Sequence, residues 1–267
     1  MTKNGKLARW LVTALMFALS FAVFYALAQR PSSDISIHAA WASEGIFSDP
    51  RSFVHHVAHP LWHVMVAAVL RTGLPLAASA ALVTALWKAA EVWLFIALSA
   101  RLLGKSGWLP ALCGLTLSLV SAVLVPAINP RVYLGAGSPN TWHSPTQIVA
   151  LTMMLLCLPM VADAVDDFHR RLPVEGEKTT ISVRHALLLS ALLVISLLAK
   201  PTFMQAFLPA ACLYFLVMWI RRPKNGAFFW RMVAVAVPSV VLMVLQSLYY
   251  FWFYSTAQGG SAILLVT

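Results

Sequence analysis

Long apolar runs without charge constrain this chain more than any other feature. Residues 10–28 contain no Asp, Glu, Lys or Arg, and a helix of that length crosses a hydrocarbon layer of about 30 Å. Similar runs recur to the end of the chain, so that 60% of its residues are apolar and only 10% are charged. A water-soluble globule does not have this composition. The sequence therefore predicts an all-α polytopic membrane protein.

The lengths of the runs predict how the chain crosses the membrane. Residues 60–72 are apolar but only about half as long as a span, and Pro60 suits the start of a helix, so we predict a helix lying in the interface. The whole chain, 1–267, is expected to be a single transmembrane domain, and the new apolar run at its end is typical of a fragment of a longer protein. About seven transmembrane helices are predicted, at residues 10–28, 74–103, 108–127, 147–165, 185–199, 204–220 and 227–254.

The distribution of Lys and Arg predicts the orientation. With residues 60–72 kept in the interface, thirteen of these cations lie on the side of the N-terminus and five on the other side. Loops on the cytoplasmic side are enriched in Lys and Arg. We therefore predict a cytoplasmic N-terminus, a first outer loop at 29–73 and a second outer loop at 128–146.

Charge and cysteine usage exclude other classes of protein. The formal charge of +10 does not indicate nucleic-acid binding, because the cations form short clusters between apolar runs rather than one basic face. The three cysteines lie inside apolar runs and have no CxxC spacing, which argues against a disulfide or a thiolate metal site. Lys88 and Glu91 are three residues apart inside a predicted span and share one helical face. An orienting ion pair and a transport or proton-relay role both stay open for them.

Polar residues concentrate on the predicted outer side. Residues 33–63 alone hold three of the nine acidic residues and five of the eight histidines. This asymmetry indicates that any chemistry takes place in the outer compartment. The polar side chains collected there are Asp34, His38, Glu44, Asp49, His55, His56, His59, Arg131, Tyr133, Asn140, His143 and Lys200, with His63 at the interface.

Asp34 is the candidate catalytic residue. It stands just beyond the first span, where a carboxylate is able to remove the proton from an acceptor hydroxyl. His38 follows four residues later and lies on the same face if this stretch is helical. Asp34 comes directly after Ser32 and Ser33, and an N-cap of that short helix is an equally good interpretation.

Several further residues are candidates for binding a substrate or a metal. His55, His59 and His63 recur at intervals of four, but Pro60 interrupts them, so interfacial histidines are favoured and a divalent metal stays open. His56 is placed to contact a phosphate or a sugar. The second outer loop offers Asn140 and His143 as donors and acceptors on irregular backbone of the kind that lines cavities; an ordinary turn, with Ser144 capping the next helix, is the alternative. Lys200, at the outer end of a predicted span, either holds a phosphate or extends to the interface.

The order of these features resembles the GT-C class of membrane glycosyltransferases. The resemblance rests on Pro60, Leu61 and Trp62, on Gly73, Ala77 and Ser79, and on the Arg-Leu-Leu-Gly ending at 101–104. The loop at 133–146 and the Lys-Pro-Thr-Phe corner at 200–203 are also similar to bacterial proteins of this type, which implies a location in the bacterial cytoplasmic membrane. Asp34 is followed by Ile35, whereas better-known members have an adjacent acidic pair.

The resemblance implies a function and a set of roles. In that class an outer-loop acid acts as base and the sugar donor is a polyprenyl phosphate. Asp34 then becomes the base, and Lys200, His56 and Arg131 become candidates for the donor phosphate. His38, Tyr133, Asn140 and His143 complete the expected substrate-binding set.

The sequence thus leads to one expected activity and two rivals. A hexosyl or pentosyl glycosyltransferase would pass a sugar from a polyprenyl-phosphate carrier to a glycan or lipid acceptor on the outer face of the membrane. The rivals are a lipid-linked saccharide transporter and a non-catalytic subunit of an envelope-polysaccharide assembly system. No resident cofactor is expected with certainty.

Overall fold

The computed structural model describes residues 3–44, 57, 59–119, 142, 144–171 and 181–258, and the side chains of 171, 225 and 250–258 are left aside. These residues form helices and no strand. The helices are α1 (Lys3–Ala28), α2 (Asp34–Glu44), α3 (Leu61–Leu70), α4 (Leu76–Leu103), α5 (Trp108–Leu119), α6 (Pro145–Arg171), α7 (Val183–Ala199), α8 (Thr202–Arg221) and α9 (Gly226–Gln258), with a 3₁₀ turn at Pro223–Asn225.

Five helices of the described chain are long and apolar enough to cross a membrane. They are α1, α4, α6, α8 and α9, whereas α3, α5 and α7 are shorter apolar helices within these residues. Large apolar side chains point outward, with Leu15 64%, Leu187 66% and Ile220 68% exposed. A soluble protein rarely leaves so much apolar surface in water, and lipid removes that cost. The prediction of a helical membrane protein is confirmed at this level.

The helix α3 is as short as the sequence predicted for residues 60–72. Its ten residues extend about 15 Å, half of what a hydrocarbon core requires. Pro60 precedes its first residue and Gly73 follows it with φ +91°, a conformation that glycine adopts without strain. Of the predicted span at 108–127, the structure describes only Trp108–Leu119.

The described chain divides into two compact units, Met1–Thr152 and Met153–Val266; the single transmembrane domain stays a prediction. In the first unit α4 packs against α1, α2, α3 and α5. Ala8, Val12 and Met16 on one stripe of α1 are buried against Val92, Ile96 and Ala111. Gly114 permits the close approach of α5 to α4, since a Cβ there would lie 2.5 Å from the backbone nitrogen of Ile96.

The second unit has a core of its own. Leu189, Leu193 and Leu197 on α7 are fully buried or nearly so, and they pack in one cluster with Met204 of α8 and Met232 of α9. Pro159, Pro209 and Pro238 each lie inside a helix of this unit. Proline removes one backbone hydrogen bond and kinks a helix.

Candidate functional site

The start of α2 settles which residue caps it. The backbone N–H of Ser36 donates to Oγ of Ser33 at 3.2 Å, and Oγ of Ser33 in turn donates to the carbonyl of Leu27 at 2.6 Å. Ser33 is therefore the N-cap and ties α2 to the end of α1. The alternative in which Asp34 caps the helix is wrong, because Asp34 is the first helical residue and its carboxylate accepts no backbone N–H among the residues that the structure describes.

Asp34 and His38 lie one turn apart on the same face of α2. Oδ1 of Asp34 is 3.6 Å from Nε2 of His38, and their side chains are 27% and 18% exposed. Oδ2 of Asp34 is buried and accepts no hydrogen bond within the described part of the chain. A buried carboxylate oxygen without a donor is costly, and such groups concentrate at functional sites. The helical face predicted for the two residues is confirmed.

His38 also contacts a residue that is remote in sequence. Nδ1 of His38 is 2.8 Å from Nε2 of His63, and Nδ1 of His63 is 3.1 Å from the carbonyl oxygen of His59. His63 is 1% exposed. Burial above all, and then the charge of nearby His38, lowers the pKa of His63 to about 3, although the carbonyl of His59 acts in the opposite direction. His63 is therefore neutral at ordinary pH.

Two tryptophans enclose the pair of imidazoles. Trp41 meets His38 edge-on with ring centroids 5.0 Å apart, and Trp62 meets His63 in the same way at 5.3 Å. Nε1 of Trp62 donates to Oγ1 of Thr84 at 3.0 Å, which anchors α3 on α4. The positions of the imidazoles are consequently set by three helices, α2, α3 and α4.

A second polar cluster lies on α4 within the same unit. Nζ of Lys88 donates to Oε1 of Glu91 at 2.7 Å and to the carbonyl of Ser118 at 2.6 Å, and both charged side chains are fully buried. The ring of Trp142 is 5.8 Å from Nζ of Lys88 and 5.6 Å from the ring of Phe24. The predicted ion pair is thereby confirmed, and it faces protein rather than solvent.

The structure brings together only part of the predicted site. Asp34 and His38 form one cluster with His63, which the sequence had assigned only to the interface. Lys200 ends α7 in the second unit, where its backbone N–H donates to the carbonyl of Ser196 at 2.9 Å. The other candidates, His56, Arg131, Tyr133, Asn140 and His143, lie outside the described residues.

The histidines near Asp34 are not arranged as a metal site in the part of the chain that the structure describes. Within the residues that the structure describes, no group of three His, Cys, Asp or Glu side chains is arranged to hold a metal ion. The separation of 2.8 Å between the two imidazole nitrogens is a hydrogen-bond distance. His55, the first histidine of the four-residue series, lies outside these residues.

The second unit contains an apolar cleft of about 470 Å³. It is open on one side and is formed by α6, α7, α8 and α9, with Leu193, Phe207, Phe215 and Met232 among its walls. Its volume is in the range of sites that hold small molecules.

Fold and site define a helical protein with membrane-length apolar helices and a polar cluster centred on Asp34, His38 and His63. No family model matches the chain, and neither a curated protein nor a solved structure matches it. The function is therefore argued from the contacts of these residues.

Proposed function

We propose that the protein is a membrane glycosyltransferase of the GT-C type, with Asp34 as its general base. The observation that carries this proposal is the state of the Asp34 carboxylate. It is partly exposed, it leaves the capping of α2 to Ser33, and its Oδ1 faces the imidazole of His38. A carboxylate that is positioned by its neighbours but does not cap the helix is available to take a proton.

The proposed reaction passes one sugar from a polyprenyl phosphate to a hydroxyl of a glycan or lipid acceptor. The hydroxyl oxygen forms a bond to the anomeric carbon while the bond from that carbon to the phosphate oxygen breaks. The polyprenyl phosphate leaves with the electron pair, and the hydroxyl proton goes to the base. Because Oδ2 of Asp34 is buried, Oδ1 is the oxygen that the hydroxyl approaches.

The proposal includes the finer topology. About seven spans, with α3 in the interface, would put the N-terminus in the bacterial cytoplasm and Asp34 at the outer membrane surface, where lipid-linked donors are accessible. The short length of α3 and the exposed apolar side chains of the long helices support this arrangement.

The donor requires a cation for its phosphate and an apolar path for its chain. Lys200, His56 and Arg131 are the proposed phosphate ligands, with Tyr133, Asn140 and His143 on the sugar or acceptor. Within the second unit taken by itself, the apolar cleft is lined by side chains of the kind that an isoprenoid chain contacts. A divalent metal at the phosphates stays part of the proposal to be tested.

A lipid-linked saccharide transporter is the second candidate, with Lys88 and Glu91 as its working pair. A transport pair needs access to a water-filled path. The two side chains are instead fully buried against each other and the Ser118 carbonyl, which supports the enzyme over the transporter. For a non-catalytic assembly subunit, the partly exposed Asp34 and its imidazole partner would have no chemical role.

The test is sugar transfer by the full chain in lipid vesicles. Radiolabelled polyprenyl-phosphate hexoses and pentoses are supplied with lipid and glycan acceptors, and label in the acceptor fraction is measured. We expect Asp34→Asn to reduce transfer roughly 10²- to 10⁴-fold, the contribution of a positioned general base.

Glu44→Gln is the matched control, since it removes an exposed carboxylate from the other end of α2. It should retain wild-type transfer. Transfer that survives Asp34→Asn would contradict the assignment of the base. If the wild-type chain transfers no sugar but moves a fluorescent lipid-linked saccharide across the vesicle, the transporter replaces the enzyme.

A further inference from the structure

Hydrogen-bond roles along Asp34, His38, His63 and His59 can be assigned atom by atom. The carbonyl oxygen of His59 can only accept, so Nδ1 of His63, 3.1 Å away, is the protonated nitrogen and donates. His63 is buried and neutral. Its other nitrogen, Nε2, therefore carries a lone pair and acts as an acceptor.

This assignment fixes the tautomer of His38. The contact of 2.8 Å between Nδ1 of His38 and Nε2 of His63 needs one hydrogen, and His63 does not supply it. Nδ1 of His38 must donate. A neutral His38 then has its lone pair on Nε2, the atom that lies 3.6 Å from Oδ1 of Asp34.

Two basic atoms consequently face each other at the exposed edge of the cluster. Oδ1 of ionised Asp34 and Nε2 of neutral His38 both carry lone pairs, and no proton lies between them in this state. Their separation of 3.6 Å exceeds a hydrogen bond. A proton that arrives there closes the gap, because it converts two facing acceptors into a donor and an acceptor.

We propose that Asp34 and His38 act as one base, that the proton removed from the acceptor hydroxyl ends on Nε2 of His38, and that His63 is the positioning residue that keeps this nitrogen unprotonated beforehand. The inference rests on the proposed function for the identity of the reaction. The assignment of the tautomer of neutral His38 rests on the contacts and on the burial of His63.

The contacts of His38 stabilise the transition state of proton transfer. The O–H bond of the acceptor breaks, its electrons form the new bond to the anomeric carbon, and His38 becomes an imidazolium between the Asp34 carboxylate and Nε2 of His63. Hydrogen bonds to a charged donor are stronger than neutral ones. Both contacts of His38 therefore strengthen in the transition state, which is the condition for accelerating the reaction.

Loss of the acceptor on His63 reverses the tautomer. Without a partner for Nδ1, the proton of neutral His38 is better placed on Nε2, where it donates to the Asp34 carboxylate. That arrangement removes the basic lone pair from Nε2 of His38 and makes the Asp34 carboxylate a weaker base, because the carboxylate then accepts a hydrogen bond. His63 thus plays the part of a third group that orients a catalytic base.

The first measurement is the tautomer of His38 by ¹⁵N NMR on the full chain labelled with ¹⁵N-histidine in lipid bilayers. His38→Gln identifies the resonances of His38. We expect an Nδ1–H, Nε2-unprotonated ring in the wild type and in His63→Gln, whose amide oxygen replaces the acceptor. In His63→Leu the proton should move to Nε2.

The inference is overturned if Nε2 of wild-type His38 carries a proton, either on a neutral ring or on an imidazolium, or if His63→Leu leaves the tautomer of His38 unchanged. Should His63→Leu fail to insert, His63→Phe supplies the same test with a planar ring that has no acceptor nitrogen.

The second measurement is transfer in vesicles with the same variants. His63→Leu should lower kcat on the order of 10²-fold, the lower end of what a positioned base contributes, with little change in the KM for the donor. His63→Gln should restore kcat, because it restores the acceptor and a merely structural histidine would not show this dependence.

The two proposals fail separately. Wild-type transfer by His63→Leu together with loss in Asp34→Asn overturns the role of His63 and leaves the function standing. The expected tautomers in a chain that transfers no sugar overturn the function and leave the assigned hydrogen bonds standing.

Discussion

The cluster of Asp34, His38 and His63 and the pair of Lys88 and Glu91 are two solutions to placing polar groups in an apolar molecule. Both belong to the first unit, and both include a buried carboxylate oxygen with no hydrogen bond from the described residues. They differ in access, because Asp34 and His38 are partly exposed whereas Lys88 and Glu91 are fully buried. They also differ in geometry, since the ion pair is closed at 2.7 Å and Asp34 and His38 stand 3.6 Å apart.

The difference indicates a division between stability and function. A closed, buried pair has no reactive atom to offer, and removing one partner leaves an uncompensated charge in a low dielectric. An open pair with two facing acceptors adds little to stability but is ready to receive a proton. Each prediction below tests one side of this division.

The largest effect is expected at the buried pair. Lys88→Met leaves the Glu91 carboxylate and the Ser118 carbonyl without their shared donor, and should lower the free energy of unfolding by about 3–5 kcal/mol. Equilibrium unfolding in mixed detergent micelles, followed by circular dichroism, measures the change. Lys105→Met, at an exposed position just beyond α4, is the control and should change stability by less than about 0.5 kcal/mol.

The double variant Lys88→Met with Glu91→Leu removes both charges and should recover most of the lost stability, because an apolar pair carries no desolvation cost. Stability as low in the double variant as in the single one would mean that the pair does not act by charge compensation.

Acidification should destabilise the open cluster through His63. The pKa of this residue is about 3 in the folded chain against an ordinary 6.5, so between these values the unfolded chain binds more protons. The contribution of His63 to the free energy of unfolding is therefore fully present above pH 6.5. It falls by roughly 1.4 kcal/mol for each pH unit below that value, which amounts to about 2 kcal/mol near pH 5.

The measurement is the same unfolding experiment across that pH range, with His63→Gln as the matched variant. The Gln variant should lose this share of the pH dependence, because glutamine has no titratable group. Identical pH dependence in the two chains would show that folded His63 is not held neutral.

A smaller loss of stability is expected when the N-cap residue Ser33 is replaced. Ser33→Ala removes the bonds to the Ser36 N–H and the Leu27 carbonyl, and should cost about 1 kcal/mol. Ser43→Ala, also on α2 but exposed and bonded only within its own turn, should change stability by less than about 0.5 kcal/mol. Equal effects of the two serines would remove Ser33 from its role as cap.

Asp34→Asn should change stability least, although it is expected to reduce sugar transfer most. Asp34→Asn keeps the size of the side chain and takes away a charge that satisfies no backbone donor, so unfolding should shift by no more than about 0.5 kcal/mol. A loss of several kcal/mol would assign Asp34 to the structural side of the comparison.

The helices could be predicted from the sequence because each depends on a local pattern. Long apolar runs predicted α1 and the later long helices. Pro60 predicted the start of α3, and the spacing of Lys88 and Glu91 placed them on one face. The sequence also placed Asp34 and His38 on one face of a short helix. It did not decide between a base and a cap at Asp34, because Ser33 and Asp34 are both good capping residues and only the hydrogen bonds distinguish them.

The contact of His63 with His38 is the clearest case of a feature that the sequence did not reveal. His63 is separated from His38 by 25 positions, and nothing periodic connects α2 with α3. The anchoring of Trp62 on Thr84 is likewise a contact between distant segments. Short-range patterns carry no information about which remote side chains meet.

Composition and periodicity by themselves determined that this chain forms apolar helices of membrane length, since burial in lipid requires uncharged runs and internally bonded backbone. Tertiary structure alone decided that Ser33 caps α2, that Nε2 of His38 lies 3.6 Å from the Asp34 carboxylate and that the other nitrogen of His38 contacts His63. The physical reason is that hydrogen bonds depend on where three helices bring their side chains, and helix packing sets those positions.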